Sequence, residues 1–330
     1  MRIRKPACFD DFTCIASACP DSCCKEWDVQ VDAAFAEYYR SLPGALGDRL
    51  RAVLKDEDGE TYMVIEDGRC PMWRQDGLCR IQAELGEGAL CKTCREFPRL
   101  THDYGDFVEL GLELSCPEAA RILLSRDMVA VEEEIPGDGV PEYDEEAMAV
   151  LKATRRTALA ILEDRRYPVN VGLALAFLYG CQAQGELDGG EILPFDPEAA
   201  LETGREMANP GEESGLLGFF AGLEILTPKW AAMLENPAPM DWQEEFWRLA
   251  HYFVERYWLQ AVSDYALYSR VKLMAVSCLV IRAVGGDLLE VAQLYSKEIE
   301  NNIDNVEAIL DAAFTHPALT DDKILGLLLR

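Results

Sequence analysis

Residues 12–32 read FTCIASACPDSCCKEWDVQVD, which sets Cys14, Cys19, Cys23 and Cys24 in one short turn-rich stretch. Outward from it, RCPMWRQDGLCRIQAELGE (69–87) carries Cys70 and Cys79, CKTCREFPR (91–99) carries Cys91 and Cys94, and LELSCPEAARILL (112–124) carries Cys116. Thiolates are soft ligands, and sulfurs this close in sequence meet one centre without a long loop to close, which selects zinc, copper(I) or an iron-sulfur cluster. A structural zinc site is commonly built from two CxxC knuckles, and only Cys91 and Cys94 have that spacing. Adjacent residues such as Cys23 and Cys24 cannot easily point at one small ion from an extended chain. The surplus of thiols over four therefore favours a cluster over zinc.

The chain has 330 residues and 12 cysteines. Such a length suggests about two domains and a core that needs no covalent staples. The N-terminus MRIRKPACFDDF has basic residues with no apolar stretch after them, unlike a secretory signal. The longest largely apolar run, Leu273 to Ile281, is far shorter than the roughly 20 residues that span a bilayer. These features imply a cytoplasmic protein with no membrane partner. In a reducing compartment the thiols are read as metal ligands, redox groups or buried apolar residues rather than disulfides. Cys181 and Cys278 sit inside apolar helical runs and are read as core.

Residues 1–126 hold 16 Lys+Arg and 23 Asp+Glu, a net of −7, so −21 of the formal −28 falls on residues 127–330. That field repels phosphate backbones, which argues against nucleic acid, and it draws in cationic groups. Acidity of this kind also simply keeps a protein in solution.

The expected fold is mainly α, with a small cysteine-rich N-terminal module containing short β-hairpins (1–126), an acidic linker (127–146) and a large α-helical domain (147–330). Val31 to Lys55 reads as a helix interrupted near Pro43-Gly44. Thr61 to Ile65 alternates like a strand, Asp67-Gly68 signals a hairpin turn, and Arg69 to Trp73 would be the return strand. Asp76-Gly77 signals a second turn before Cys79. A short helix through Cys91 and Cys94 should stop before Pro98, and Tyr104-Gly105-Asp106 should turn a further hairpin. Glu132 to Glu146, acidic and broken by Pro and Gly, looks like a surface linker. Helical patterns follow near 144–166, 170–184, 196–208, 214–226, 240–260, 263–284, 287–300, 303–314 and 319–329. The one carrying Phe246, Leu249, Phe253 and Tyr257 is apolar on both sides and should be buried at the centre.

The four cysteine-bearing stretches, in this order and spacing, resemble the flagellin lysine-N-methylase family, itself related to proteins with a CxxxCxxCC-type zinc- or iron-chelating domain. The likeness is dense over residues 8–125 and thinner at LAHYFVERYW (249–258) and YSKEIENNIDNVEAIL (295–310), where the family tends to have His at the position of Asn301. It implies methyl transfer from S-adenosylmethionine to lysine side chains of flagellin, with an iron-sulfur cluster, of the 4Fe-4S kind, needed for activity. Carried over residue by residue, the implied ligands are Cys14, Cys19, Cys23, Cys24, Cys70, Cys79, Cys94 and Cys116, with Cys8 and Cys91 ranked lower. The other reading is a non-enzymatic zinc- or iron-chelating protein.

The sequence shows no strand followed by GxGxxG and no radical-type CxxxCxxC triad, so neither the cofactor pocket nor a catalytic base is visible in it. The glycines between Gly215 and Gly222 lie in an apolar helical run and read as close-packing residues. Tyr252, His251, Glu255 and Arg256 could orient a lysine or could edge a helical core. His102 could ligate metal, and Arg95, Arg99 and Arg121 could face cluster sulfurs or form surface ion pairs.

Overall fold

The computed structural model describes residues 1–25, 29–65, 68–137, 139–209 and 212–329. The strands are β1 (Arg2–Pro6), β2 (Val29–Val31), β3 (Leu54–Glu57), β4 (Glu60–Met63), β5 (Arg99–Asp103), β6 (Phe107–Leu112) and β7 (Ala130–Glu134). The α-helices of the N-terminal part are α1 (Ala33–Ser41), α2 (Gly44–Val53), α3 (Arg80–Leu85), α4 (Lys92–Glu96) and α5 (Pro117–Ser125). Those beyond are α6 (Glu145–Glu163), α7 (Val169–Leu187), α8 (Pro197–Met207), α9 (Glu213–Ala221), α10 (Pro228–Glu235), α11 (Glu245–Tyr257), α12 (Leu267–Val284), α13 (Leu288–Tyr295), α14 (Ile303–Thr315) and α15 (Asp321–Leu328). The protein is thus mainly α with a small cysteine-rich, strand-bearing region at the N-terminus.

Local chemistry explains where many helices begin. Asp32, Asp144, Asp196, Thr227, Asp287 and Asn302 each accept a backbone N–H of the first turn that follows, satisfying donors the helix cannot pair by itself. Every residue of α12 except Tyr268 and Arg282 is buried, so this helix is surrounded, and α7, α9, α11, α13, α14 and α15 pack on it. The buried ammonium of its Lys272 is fully partnered: Nζ donates to the Ala313 and Leu319 carbonyls at 2.7 Å and meets Asp321 at 2.9 Å. No helix among the described residues is long and apolar enough to cross a membrane.

Two apolar cores form. The larger joins Phe9, Phe12, β6 and α5 to the helices from α6 onward, whereas the smaller holds Val29, Val31, Tyr39, Leu50, Met63, Met72 and Ile81 together with Cys70 and Cys91. The larger core is tightly filled where α7 crosses α11. A Cβ at Gly172 would fall only 1.9 Å from Cη2 of the buried Trp247. Gly172→Ala gains up to about 1 kcal/mol of helix propensity but overpacks the crossing at about 1–3 kcal/mol. We expect a net loss, read as a lower urea midpoint with an unchanged slope.

Several sequence expectations stand: the interruption expected near Pro43-Gly44, which falls at Leu42-Pro43, the turn at residues 76–77, the short helix ending before Pro98, and the hairpin β5–β6 at Tyr104–Asp106. Others are corrected. The strand near residue 61 pairs upstream, with β3, through a two-residue Asp58-Gly59 turn in which both residues have positive φ (51° and 87°). That backbone matches the right-handed twist of the flanking strands. Arg69 to Trp73 is not a return strand, only two isolated bridges, Lys25 to Arg69 and Trp73 to Cys79, and Asp67 lies outside the described residues. β3 was hidden because Leu54-Lys-Asp-Glu57 is mostly charged and looks like a helix end.

The stretch read as linker begins with a strand. β7 pairs antiparallel with all five residues of β1, setting Glu132 opposite Arg4 and Glu133 opposite Ile3, and Lys5 meets Glu133 at 3.1 Å. The acids are cross-strand partners of a basic strand. α10 and α5 were missed as helices. Both start with Pro at N1 after a polar or cysteine residue, a start signal the reading passed over.

Candidate metal centre

The thiols are placed by short elements around the smaller core. Cys14 and Cys19 flank a 3-10 turn, Cys79 precedes α3, Cys91 precedes α4, and Cys116 precedes α5. Cys94 lies within α4. Contacts with the β2 edge hold this arrangement: Thr93 Oγ1 donates to the Gln30 main-chain carbonyl at 2.9 Å, and the Lys92 amide donates to the Asp32 side chain at 2.9 Å. Cys70 and Cys91 are buried, Cys19, Cys24, Cys79, Cys94 and Cys116 are partly buried, and Cys14 and Cys23 are exposed.

The sulfurs form one connected group. Cys23 hydrogen-bonds Cys24, Cys24 hydrogen-bonds Cys70, and Cys94 hydrogen-bonds Cys91. Cys79 lies within electrostatic reach of Cys23, Cys24, Cys70 and Cys91, Cys94 within reach of Cys23 and Cys24, Cys116 within reach of Cys19 and Cys23, and Cys14 within reach of Cys19. All eight sequence-implied ligands therefore belong to the group. Cys8 does not: it is buried in the larger core beside Arg126 and Asp11. Cys91 does belong, although the sequence reading ranked it low. Its CxxC spacing to Cys94 was the signal.

Electrostatics follow the hydrogen bonds. The bond received from Cys24 lowers the Cys70 thiol pKa, and the bond received from Cys94 brings Cys91 down to about 7. Cys23 is raised chiefly because it donates to Cys24, with partial desolvation of its sulfur adding to the effect. The bond from Cys23 would lower Cys24, but donation to Cys70 and burial push it up to about 12. Burial pushes Cys116 up to about 12. Crowded thiols share protons because they cannot all ionise together, and a soft cation that replaces those protons relieves the crowding.

The donor chemistry is that of a thiolate-bound metal or cluster. Among the described residues no three Cys, His, Asp or Glu donors already stand around one point at coordinating distance. The sulfurs are held in hydrogen-bonded pairs that would have to close on the metal. His102 is not among them. It sits on β5 with Nε2 unpartnered, lining a small cavity of about 50 Å³ with Arg4, Tyr252, Glu255 and Arg256, and burial lowers its pKa.

The other polar candidates are engaged internally. Glu255 is clamped by Arg4 through two 2.6 Å bonds. Tyr252, Arg256 and Tyr257 converge on buried Glu300 at 3.1, 3.2 and 2.8 Å. His251 lies 3.6 Å from Glu163. Arg95 stacks over Phe35 at 5.7 Å, Arg99 over Phe12 at 5.1 Å, and Arg121 pairs with Glu118 at 2.6 Å. Cys278 is fully buried and Cys181 packs against the larger core, as ordinary core residues do.

The cysteine loop is tied to the helical body by Asp21, which lies between Cys19 and Cys23. Its carboxylate accepts from Lys297 at 3.0 Å and from Gln293 at 3.2 Å, and Gln293 also donates to the Ser115 carbonyl at 2.8 Å. Beside this contact opens a cleft of about 510 Å³ whose walls include Ile15, Asp21, Pro117, Pro228, Leu289 and Lys297.

Fold and site together define a mainly helical protein that gathers cysteines from distant stretches of its N-terminal part into one region. No family model matches the chain. It is 36% identical over 142 residues to the flagellar biosynthetic protein FliU of Salmonella muenchen, a match that covers 40% of this chain and 82% of that protein. It is 35% identical over 139 residues to proteins named lysine-N-methylase from Salmonella choleraesuis and Salmonella typhimurium, covering 40% of this chain and 35% of each of theirs. No solved structure matches it. The chain belongs to the FliB-like lysine-N-methylase family.

Proposed function

We propose that this protein is a lysine N-methyltransferase acting on flagellin, with S-adenosylmethionine as methyl donor and an iron-sulfur cluster held by the thiol group. Two linked observations support the reading. Relatives at 35% identity are named lysine-N-methylase, and the cysteines that make up the resemblance come together in space although they are spread from position 14 to position 116. The cluster's ligands would be drawn from Cys14, Cys19, Cys23, Cys24, Cys70, Cys79, Cys94 and Cys116, with Cys91 inside the same group. Bound there, a cluster would brace the loops that carry its ligands and supply a site of electron exchange.

In the transfer itself the methyl carbon leaves the sulfonium sulfur, which keeps the bonding pair and becomes a neutral thioether. The lysine nitrogen forms the new bond with its lone pair and gives up a proton. An amine with a pKa near 10.4 must lose a proton to expose that lone pair. The chain's net charge of −28 favours approach of the cationic side chain. We expect cluster-replete protein, S-adenosylmethionine and unmodified flagellin to yield flagellin heavier by one or more methylene increments in its intact mass. The rate should fall as ionic strength rises from 0.15 M, where the Debye length is about 8 Å, toward 1 M, where it is about 3 Å. Replete protein that leaves flagellin's mass unchanged at every salt concentration is a chelating protein, and the enzyme reading falls.

A further inference from the structure

We propose that the 510 Å³ cleft between the cysteine loop and the helical body is the seat of the methyl donor, an adenosyl sulfonium carrying an amino-acid head. The inference rests on the donor named above and adds where it binds. The volume lies inside the usual 300–1,000 Å³ of small-molecule sites. The walls suit the two ends of such a molecule. Ile15, Pro117, Pro228, Leu289 and Leu294 offer apolar surface for a flat ring system.

The polar wall is three cation–carboxylate pairs: Lys297 with Asp21 at 3.0 Å, Arg121 with Glu118 at 2.6 Å, and Lys229 with Glu290 at 3.4 Å. A zwitterionic head can join such pairs on both sides, placing its ammonium against a carboxylate and its carboxylate against a cation, and strands no charge. Another cavity argues by contrast. It measures about 260 Å³ and is lined by Arg2, Arg4, Lys152, Arg155 and Arg156 against only Glu109 and Glu132. A ligand bearing a sulfonium is repelled there.

One wall of the proposed seat is the metal-binding loop. Pro20 and Asp21 lie between Cys19 and Cys23, Ile15 follows Cys14, and Pro117 follows Cys116. The seat should therefore be complete only when those cysteines hold their metal, so that donor binding and metal loading are coupled.

The test is equilibrium dialysis of labelled S-adenosylmethionine against the full-length, metal-replete chain, with iron content and circular dichroism recorded for each sample. Leu289→Trp fills the cleft from a half-buried position on its wall. It should weaken binding at least tenfold, which corresponds to about 1.4 kcal/mol, with iron unchanged. Lys229→Glu changes a solvent-exposed side chain on the rim and reads the same site where the Trp variant does not fold. It should weaken binding severalfold. Arg156→Glu in the other cavity should leave affinity unchanged, and metal-stripped wild type should bind at least tenfold more weakly. Wild-type affinity in both Leu289→Trp and Lys229→Glu overturns the seat while leaving methyl transfer standing. Donor that does not bind even to replete wild type removes the seat and the donor assignment together. Equal binding with and without metal overturns the coupling.

Discussion

Cys24→Ser protein, purified without oxygen, should contain little or no iron or zinc and should lose the structure of the region built on the smaller core. Cys24 stands between Cys23 and Cys70 in the thiol group, so its loss cuts the group in two. The core beneath is small, with Cys70 and Cys91 among its buried members and Cys24, Cys79 and Cys94 packed against it. An apolar cluster of that size contributes little net stability once chain entropy is subtracted. Metal binding at such a site is folding free energy, because the unfolded chain has no preformed site. Metal analysis and limited proteolysis should show loss of metal together with new cleavage between about residues 29 and 94. Cys278→Ala, in the fully buried interior of α12, should keep its metal. Full metal content in Cys24→Ser, or iron lost from a folded Cys278→Ala, would overturn the assignment of the thiol group.

The second large effect concerns Glu300. Its carboxylate accepts from Tyr252 and Tyr257 and pairs with Arg256 at 3.2 Å, with the Glu300 side chain 1% exposed and that of Arg256 10% exposed. Glu300→Ala leaves a buried guanidinium without its carboxylate and two phenol hydroxyls without their acceptor. Removing one partner of a buried pair costs about 3–5 kcal/mol. Urea denaturation of the full chain should report a loss of that size. Glu300→Ala combined with Arg256→Met removes both charges from the same space and should recover much of it, since an apolar pair leaves no unpaired ion. A single variant within 1 kcal/mol of wild type would mean that water reaches this cluster, and the network would then carry no structural weight.

Local information settled a great deal of this protein. Asp and Asn at helix starts, Asp-Gly and Tyr-Gly-Asp turns, and the stripe of Phe246, Leu249, Phe253 and Tyr257 are short-range signals, because backbone hydrogen bonds and side-chain periods act over a few residues. The cysteine spacing pointed to thiolate chemistry for the same reason, since the residue types and the lengths between them are written in one dimension.

Other features depended on which distant segments met. β3 was chosen as the partner of β4, and β7 as the partner of β1, by pairing partners that a charged pattern does not reveal. Cys91 joins the thiol group because α4 docks against β2 through Gln30 and Asp32, about 60 positions earlier. Arg256 and Tyr252 are occupied by Glu300, and Asp21 by Lys297, across separations of 48 residues for Tyr252 and 276 for Asp21. The cleft draws its walls from four stretches, near residues 15–21, 117–121, 227–229 and 289–297. Contacts of that range pay chain entropy first and are repaid only by the finished core, so composition and spacing name the chemistry of the site while its walls exist only in three dimensions.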